Sequence, residues 1–156
     1  MAISPNVDFV AGAVLTATQQ NQFPRGIVAF AQSTSAGSAT TTEAVQLTSS
    51  TFTAVANRYY RVTYYEPLVI IGGLQPSYLG FRVRLTNLAG TILATEEPEA
   101  MPTPSDGQII NFQFVTTFSA GSTVLVATAY TGTNSASLYG SATVRRQLIV
   151  EDLGLA

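Results

Sequence analysis

The run Tyr59 to Glu66 (YYRVTYYE) is the most strongly β-forming stretch of this chain, and it constrains the fold more than any other feature. Alternate side chains of a strand point to opposite faces, so the run divides into two sets that both contain tyrosine. The first set is Tyr60, Val62 and Tyr64, and the second is Tyr59, Arg61, Thr63 and Tyr65. Because both faces carry aromatic rings, we expect this strand to be covered on both sides.

Stretches of similar character recur along the chain after residue 26. The predicted strands are 27–32, 43–48, 51–55, 59–66 with a continuation over 68–71 beyond Pro67, 78–86, 91–95, 108–118, 123–130 and 141–151. No alternation of strands with helices accompanies them, which argues against an open parallel sheet. The pattern predicts an all-β fold, an antiparallel β-sandwich that is jelly-roll-like and has about eight or nine strands.

The region before Gly26 differs from the rest, because it does not read as β-structure. Thr16 stands at a helix N-cap position with Gln19 three residues later, as in a capping box, and the Phe23–Pro24 pair ends the helix. We therefore predict two parts: residues 1–25 form an N-terminal docking arm, extended at first and then a short helix, and residues 26–156 form the β-sandwich domain.

Several residues are candidates for contact with another chain. Phe9, Val14, Leu15 and Phe23 are apolar residues of the arm that have no core of their own in the sequence, so we predict that they are buried against a partner. The candidate interface residues are Phe9, Val14, Leu15, Phe23, Arg25, Tyr59 and Tyr65.

Charge and composition exclude several kinds of partner. Only 10% of the residues are charged, against about 25% in an average soluble domain, which suggests that part of the surface is covered. The net charge is -2, so we expect no nucleic-acid binding. No basic run precedes an apolar segment as in a signal peptide, and no apolar stretch reaches about 18 residues, so we expect neither secretion by a signal sequence nor membrane insertion.

The chain lacks the residues on which most catalytic sites depend. It contains no histidine, cysteine or lysine, which leaves only carboxylates as acids or bases. Glu96, Glu97, Glu99 and Asp106 lie in one proline-rich loop, where a pair of acids for a glycosidase or a calcium site is conceivable. A solvated surface loop is the favoured interpretation, so we expect no enzyme activity, no cofactor and no metal site.

The arginines of two predicted strands define further candidates. Arg82 and Arg84 share an outward face and are available to an anion, to a neighbouring subunit or to solvent. Arg145 and Arg146 are consecutive, so one of them points toward the core or an interface and requires a carboxylate partner. Glu151 and Glu66 are the candidates, and the sequence does not choose between them.

Three segments resemble a family of tailed-phage virion proteins. The leader FVAGAVLTATQQNQFPRGIVAFAQ is similar to the pattern aG-x-VLTA-x-x-N that opens many small tail and appendage proteins. FTAVANRYYRVTYY, from Phe52 to Tyr65, is similar to their FTA-x-x-gRrYrv segment, and QLIVEDLG, from Gln147 to Gly154, is similar to their L-x-VEDiG ending. The three segments keep this order and cover about a third of the chain.

The resemblance implies a non-enzymatic virion component, made in the host cytoplasm, that forms a homotrimer and contacts other virion proteins. A minor tail, fibre, spike or collar appendage is the leading interpretation, and a capsid decoration or head-fibre protein is the alternative within the same class. From a different class, a carbohydrate-binding module is the alternative, with the tyrosines as stacking platforms for a host-surface glycan.

Overall fold

The structure, a computed structural model, describes residues 12, 14, 16–71, 74, 76, 78–97 and 107–156. These residues contain one short helix, α1 (Ala17–Gln22), and a set of twelve strands. The strands are β1 (Gly26–Ser33), β2 (Gly37–Ala39), β3 (Ala44–Thr48), β4 (Phe52–Ala54), β5 (Arg58–Ile70), β6 (Leu79–Leu85), β7 (Ile92–Glu96), β8 (Gly107–Thr116), β9 (Gly121–Thr123), β10 (Leu125–Thr131), β11 (Ala136–Leu138) and β12 (Arg146–Leu155).

Helix α1 begins and ends where the sequence predicts. The backbone N–H of Gln19 donates to Thr16 Oγ1 at 3.2 Å, and the backbone N–H of Thr16 donates to Gln19 Oε1 at 2.9 Å. This reciprocal pair is the predicted capping box. Phe23 has extended backbone angles and ends the helix before Pro24, because a residue that precedes proline is disfavoured in the helical region.

The eight strands of five or more residues form two antiparallel four-stranded sheets. The order in sheet A is β1-β12-β5-β8, and the order in sheet B is β3-β10-β6-β7. The three-residue strands β11 and β2 extend sheet A beside the far end of β5, and β4 pairs with β9. This strand order is that of a jelly roll, so the predicted fold class is confirmed.

The alternation predicted for β5 is confirmed. Tyr60, Val62 and Tyr64 are almost completely buried, whereas the residues between them keep part of their surface. Pro67 lies inside the strand without breaking it, because the pairing with β8 shifts register between Glu66 and Val69. A bulge of this kind is one of the few places in a central strand where proline is tolerated.

The core lies between the two sheets and is rich in aromatic rings. The Tyr64 ring of sheet A contacts the Phe81 ring of sheet B with centroids 5.9 Å apart, and it contacts Phe112 of β8 at 5.7 Å. A second group at the other end of the sandwich joins Phe52, Tyr60 and Phe118, with centroid separations of 5.2 to 5.9 Å. Three of these contacts are edge-to-face and two are tilted, and such ring contacts add to the favourable free energy of burial.

Candidate interaction surfaces

A buried arginine fastens helix α1 to the sandwich. Arg58, the first residue of β5, is 1% exposed and forms a two-pronged ion pair with Asp152 of β12, in which both N···O distances are 2.7 Å. Two further guanidinium N–H groups donate to two backbone carbonyls at the end of α1, those of Asn21 and Phe23. Arg58 therefore satisfies acceptors that a helix C-terminus leaves unpaired, and it joins three parts of the chain.

The other groups around Asp152 complete this anchor. The backbone N–H of Gly154 donates to Asp152 Oδ1 at 2.9 Å, and Arg25 Nε lies 4.0 Å from Asp152 Oδ2. Gly154 has a φ of 105°, and its Cα lies close beneath the carbonyl of Gln22. The carboxylate is thus surrounded by donors, which is the condition under which a buried ion pair stabilises a fold.

The predicted docking residues of the arm have different positions. Phe9 and Leu15 lie outside the described residues. Val14 is 90% exposed, and Phe23 is 37% exposed even though its carbonyl is held by Arg58. The Arg25 side chain is 46% exposed. Burial of these residues against a partner stays a prediction.

Tyr59 and Tyr65 lie on the outer face of sheet A, Tyr59 at the start of β5 and Tyr65 near its middle. Tyr59 borders an open groove of about 540 Å³ with Phe118 and Ala156, and Tyr65 borders another of about 680 Å³ with Leu68 and Ile109. Six residues of a strand separate the two tyrosines, which corresponds to roughly 20 Å. The two rings therefore do not form one platform for a single sugar ring.

Of the two carboxylates that the sequence left open, Glu66 is the partner, and it pairs with Arg146 inside sheet A. Arg146 is 2% exposed, and its Nε lies 2.7 Å from Glu66 Oε2, while Arg146 Nη2 donates to Gln46 Oε1 at 2.9 Å. The Tyr64 hydroxyl also donates to Glu66. Burial, together with the adjacent Glu66 charge, raises the pKa of Tyr64 well above 10. Glu151, the other candidate, pairs with Arg61 at 2.8 Å on the outer face.

The outer face of sheet B carries an ion network that the sequence does not reveal. Arg82 and Arg84 of β6 both pair with Glu43, at 2.9 Å and 2.6 Å, and the Thr128 hydroxyl donates to the same carboxylate at 2.5 Å. Hydrogen bonding by Arg84, against the opposing cost of burial, lowers the pKa of Glu43 to about 2. Both arginines therefore have an ion-pair partner within the chain, and the two guanidinium groups share the single Glu43 carboxylate.

Tyr130 of β10 extends this network across β6. The Arg82 guanidinium lies 4.1 Å from the centroid of the Tyr130 ring, and the Tyr130 hydroxyl donates to Glu97. The ring lies across Gly80, where any side chain would overlap it. Burial and the hydrogen bond to Glu97 together raise the pKa of Tyr130 to about 12. This arrangement covers the strand surface with the chain's own polar side chains.

The acidic loop is only partly described. Glu96 is the last residue of β7 and is exposed, and Glu97 is the partner of Tyr130. Glu99 and Asp106 lie outside the described residues. Within the described ranges, no group of three acidic side chains is placed to hold a metal ion. In the same part of the chain, no helix is long and apolar enough to cross a membrane.

Comparisons with known proteins support the fold and leave the function open. No protein-family model matches the chain, and no curated protein matches its sequence. Among solved structures, the TNF protein Eiger from S. frugiperda matches with a TM-score of 0.52 and 9% identity, over 85% of this chain and 96% of that chain. At such low identity, this likeness shows a shared jelly-roll fold.

Two further structures match with TM-scores below 0.5, which is too low to support a conclusion about this chain. A chain of infectious bursal disease virus, Gt strain, gives a TM-score of 0.46 with 14% identity, over 100% of this chain and 42% of that chain. The CBM22-1 xylan-binding domain of Paenibacillus barcinonensis Xyn10C gives a TM-score of 0.34 with 13% identity, over 81% and 87% of the two chains.

Proposed function

We propose that this chain is a non-enzymatic structural protein of a tailed-phage virion: a minor tail, fibre, spike or collar appendage. It docks through the region before Gly26 and exposes its β-sandwich, where contact with the host surface takes place. The proposal draws on the sequence resemblance described above. One structural observation carries it further: a buried arginine holds α1 against the sandwich, yet the apolar side chains around this junction remain exposed.

Those side chains form a surface that we call the apolar corner, consisting of Phe23, Ile27, Leu153 and Leu155. They flank the place where α1 meets β12, and they are 37 to 63% exposed. Val14, which precedes the helix, is 90% exposed. Apolar groups that are gathered at one point and left in water are typical of a contact surface. Because Arg58 fixes the helix, the corner meets a partner without first having to be ordered, which lowers the entropic cost of binding.

The first experiment removes the arm and measures particle incorporation. Deletion of residues 2–23 is expected to leave a folded sandwich that no longer joins virions. A cooperative thermal transition shows whether the sandwich is folded.

A second experiment replaces only side chains. The double variant Val14→Asp with Phe23→Ser keeps the backbone carbonyl of residue 23 in place, so its hydrogen bond from Arg58 is retained. Val45→Asp with Leu88→Ser is the matched control, because those residues are 43% and 41% exposed elsewhere on the molecule. Incorporation of the Val14/Phe23 variant at the control level would refute the docking role.

A capsid decoration protein is the alternative within the same class. The number of copies per particle separates the two, because a decoration protein covers the whole head whereas an appendage occupies a few symmetry-defined positions. Quantitative mass spectrometry of purified virions, with the major capsid protein as internal standard, measures this ratio. A ratio near that of the capsid protein would favour decoration.

A further inference from the structure

The edge of sheet A formed by β8 differs from the other sheet edges. An edge strand presents unpaired N–H and C=O groups, so proteins usually shorten it, charge it or cover it. Strands β3 and β7 are five residues long, and β7 ends in Glu96. At the opposite edge of sheet A, the backbone of Phe30 in β1 bonds to the backbone and hydroxyl of Ser50. Within the described residues, β8 is ten residues long and pairs with β5 alone.

Within the described residues, β8 carries neither the charged side chains nor the proline that commonly protect an edge strand. Its sequence, GQIINFQFVT, contains no charged residue and no proline. Ile109 and Val115 are 63% and 56% exposed on its outer face. The uncharged residues Asn111 and Gln113 lie between them and are also exposed. A long, uncharged edge strand with exposed apolar residues is a surface that another strand pairs with.

The order of residues in β8 indicates which strand that is. Around Phe112 the sequence is nearly symmetric in its chemistry, so two copies aligned antiparallel at this residue place like groups opposite each other. Ile109 faces Val115 and Asn111 faces Gln113 on the outer face, while Ile110 faces Phe114 on the inner face. Directly opposite side chains lie on the same face of an antiparallel pair. Each apolar side chain therefore meets an apolar one, and each amide side chain meets an amide.

We propose that β8 pairs with β8 of a second copy of this chain about a two-fold axis at Phe112, which joins two sheets A into one continuous sheet. A two-fold contact uses the same surface on both partners, and β8 has the required self-complementarity. No like charges meet, since the strand has none.

The size of the contact predicts its strength. A ten-residue strand is about 33 Å long. If the contact along its edge is about 10 Å deep, each partner buries roughly 330 Å² of surface, whereas a standard interface buries about 800 Å² on each partner. We therefore expect a dimer that dissociates on dilution when the protein is free. Copies held close together on a larger assembly would pair readily, because tethering raises their effective concentration.

Charge substitutions test the register directly. Asn111→Lys with Gln113→Lys brings lysines opposite lysines and should weaken dimerisation about tenfold or more, whereas Asn111→Lys with Gln113→Glu brings opposite charges together and should restore it. The matched control is Thr51→Lys with Thr53→Lys, two exposed positions away from β8. Sedimentation velocity over a range of concentrations measures the association, and thermal unfolding verifies that each variant is folded.

Engineered cysteines provide a second test, since the natural chain has none. A mixture of an Asn111→Cys chain with a Gln113→Cys chain should form a disulfide-linked heterodimer under mild oxidation, faster than either variant links to itself. Association through the apolar corner or through the outer face of sheet A would not bring residue 111 of one chain next to residue 113 of the other, so it would not give this preference for the heterodimer.

Either experiment can overturn the proposal. A protein that stays monomeric at every concentration would do so, and so would a trimer whose mass is unaffected by the lysine pair at 111 and 113. The contact does not depend on the virion assignment, because all of these measurements use the purified chain. Failure of particle incorporation therefore leaves the β8 contact intact, and the reverse also holds.

Discussion

The outer faces of the two sheets are built from similar strands but differ in how much of their side-chain surface is exposed to water. On sheet B, Val126, Thr128 and Tyr130 point outward and are nevertheless at most 7% exposed, because long polar side chains lie over them. On sheet A, by contrast, Ile109 and Val115 keep more than half of their surface in water. The first face is covered by the chain's own side chains along β10, with Val45 at its edge still 43% exposed, whereas the second face is left open along β8.

The ion pairs of the two faces show what makes the difference. Glu43 on sheet B accepts hydrogen bonds from two arginines and a threonine, and all of these side chains are at least three-quarters buried. Glu151 on sheet A pairs with Arg61 alone, and the Arg61 side chain is 42% exposed. A carboxylate shared among several shielded donors contributes far more to stability than one exposed pair does. We infer that the face of sheet B supports the fold and the face of sheet A is available for association.

Removal of the two carboxylates should give the largest contrast. Because the network lowers the pKa of Glu43 from 4.5 to about 2, Glu43→Ala is expected to reduce the free energy of unfolding by about 3 kcal/mol. Glu151→Ala should reduce it by about 0 to 1 kcal/mol, as exposed pairs usually do. Urea unfolding of the two variants measures both changes. Equal losses would contradict the distinction between the faces.

The dependence of stability on acid sharpens the same comparison. A carboxylate whose folded pKa is lowered stabilises the native state above its unfolded pKa of 4.5, and this contribution is lost as the pH falls toward about 2. Subtraction of the curve for Glu43→Gln from that of the natural protein should isolate a loss in this window. A flat difference for Glu43→Gln would show that its network is weaker than the geometry indicates.

The smallest effect is expected at Tyr130, the residue of this network that ionises at alkaline pH. Tyr130→Phe removes the hydroxyl that donates to Glu97 and should cost about 1 kcal/mol at neutral pH. A raised folded pKa stabilises the native state below pH 10, and this contribution is lost as the pH rises through about 12. The natural protein should therefore lose stability over that range relative to the variant. Phenolate absorbance and thermal unfolding, measured in parallel, follow the ionisation and its consequence.

Local features of the fold could be predicted from the sequence, because their causes lie close together in the chain. The capping box at Thr16 and Gln19 depends on residues three apart, and the buried face of β5 depends on simple alternation. The jelly-roll class follows from the number and spacing of strands. Even the partner of Arg146 could be narrowed to two carboxylates, because a buried arginine on an alternating strand requires one.

The surfaces could not be predicted in the same way, since their contacts join distant residues. Glu43 meets Arg82 and Arg84 only because β3 and β6 both pair with β10. Arg58 follows Asn57, whose φ of 59° marks a turn, and nothing nearby shows that its side chain turns inward to Asp152, 94 residues later. The register between strands decides both contacts, and no local pattern in the sequence specifies it.

The Arg58 anchor has a mechanical consequence for a protein that is held by one end. Arg58 begins β5, Asp152 lies near the end of β12, and these two interior strands of sheet A are paired along most of β12. A force applied to the N-terminal arm is therefore carried by the covalent chain into edge strand β1 and, in parallel, by one buried guanidinium into the two interior strands.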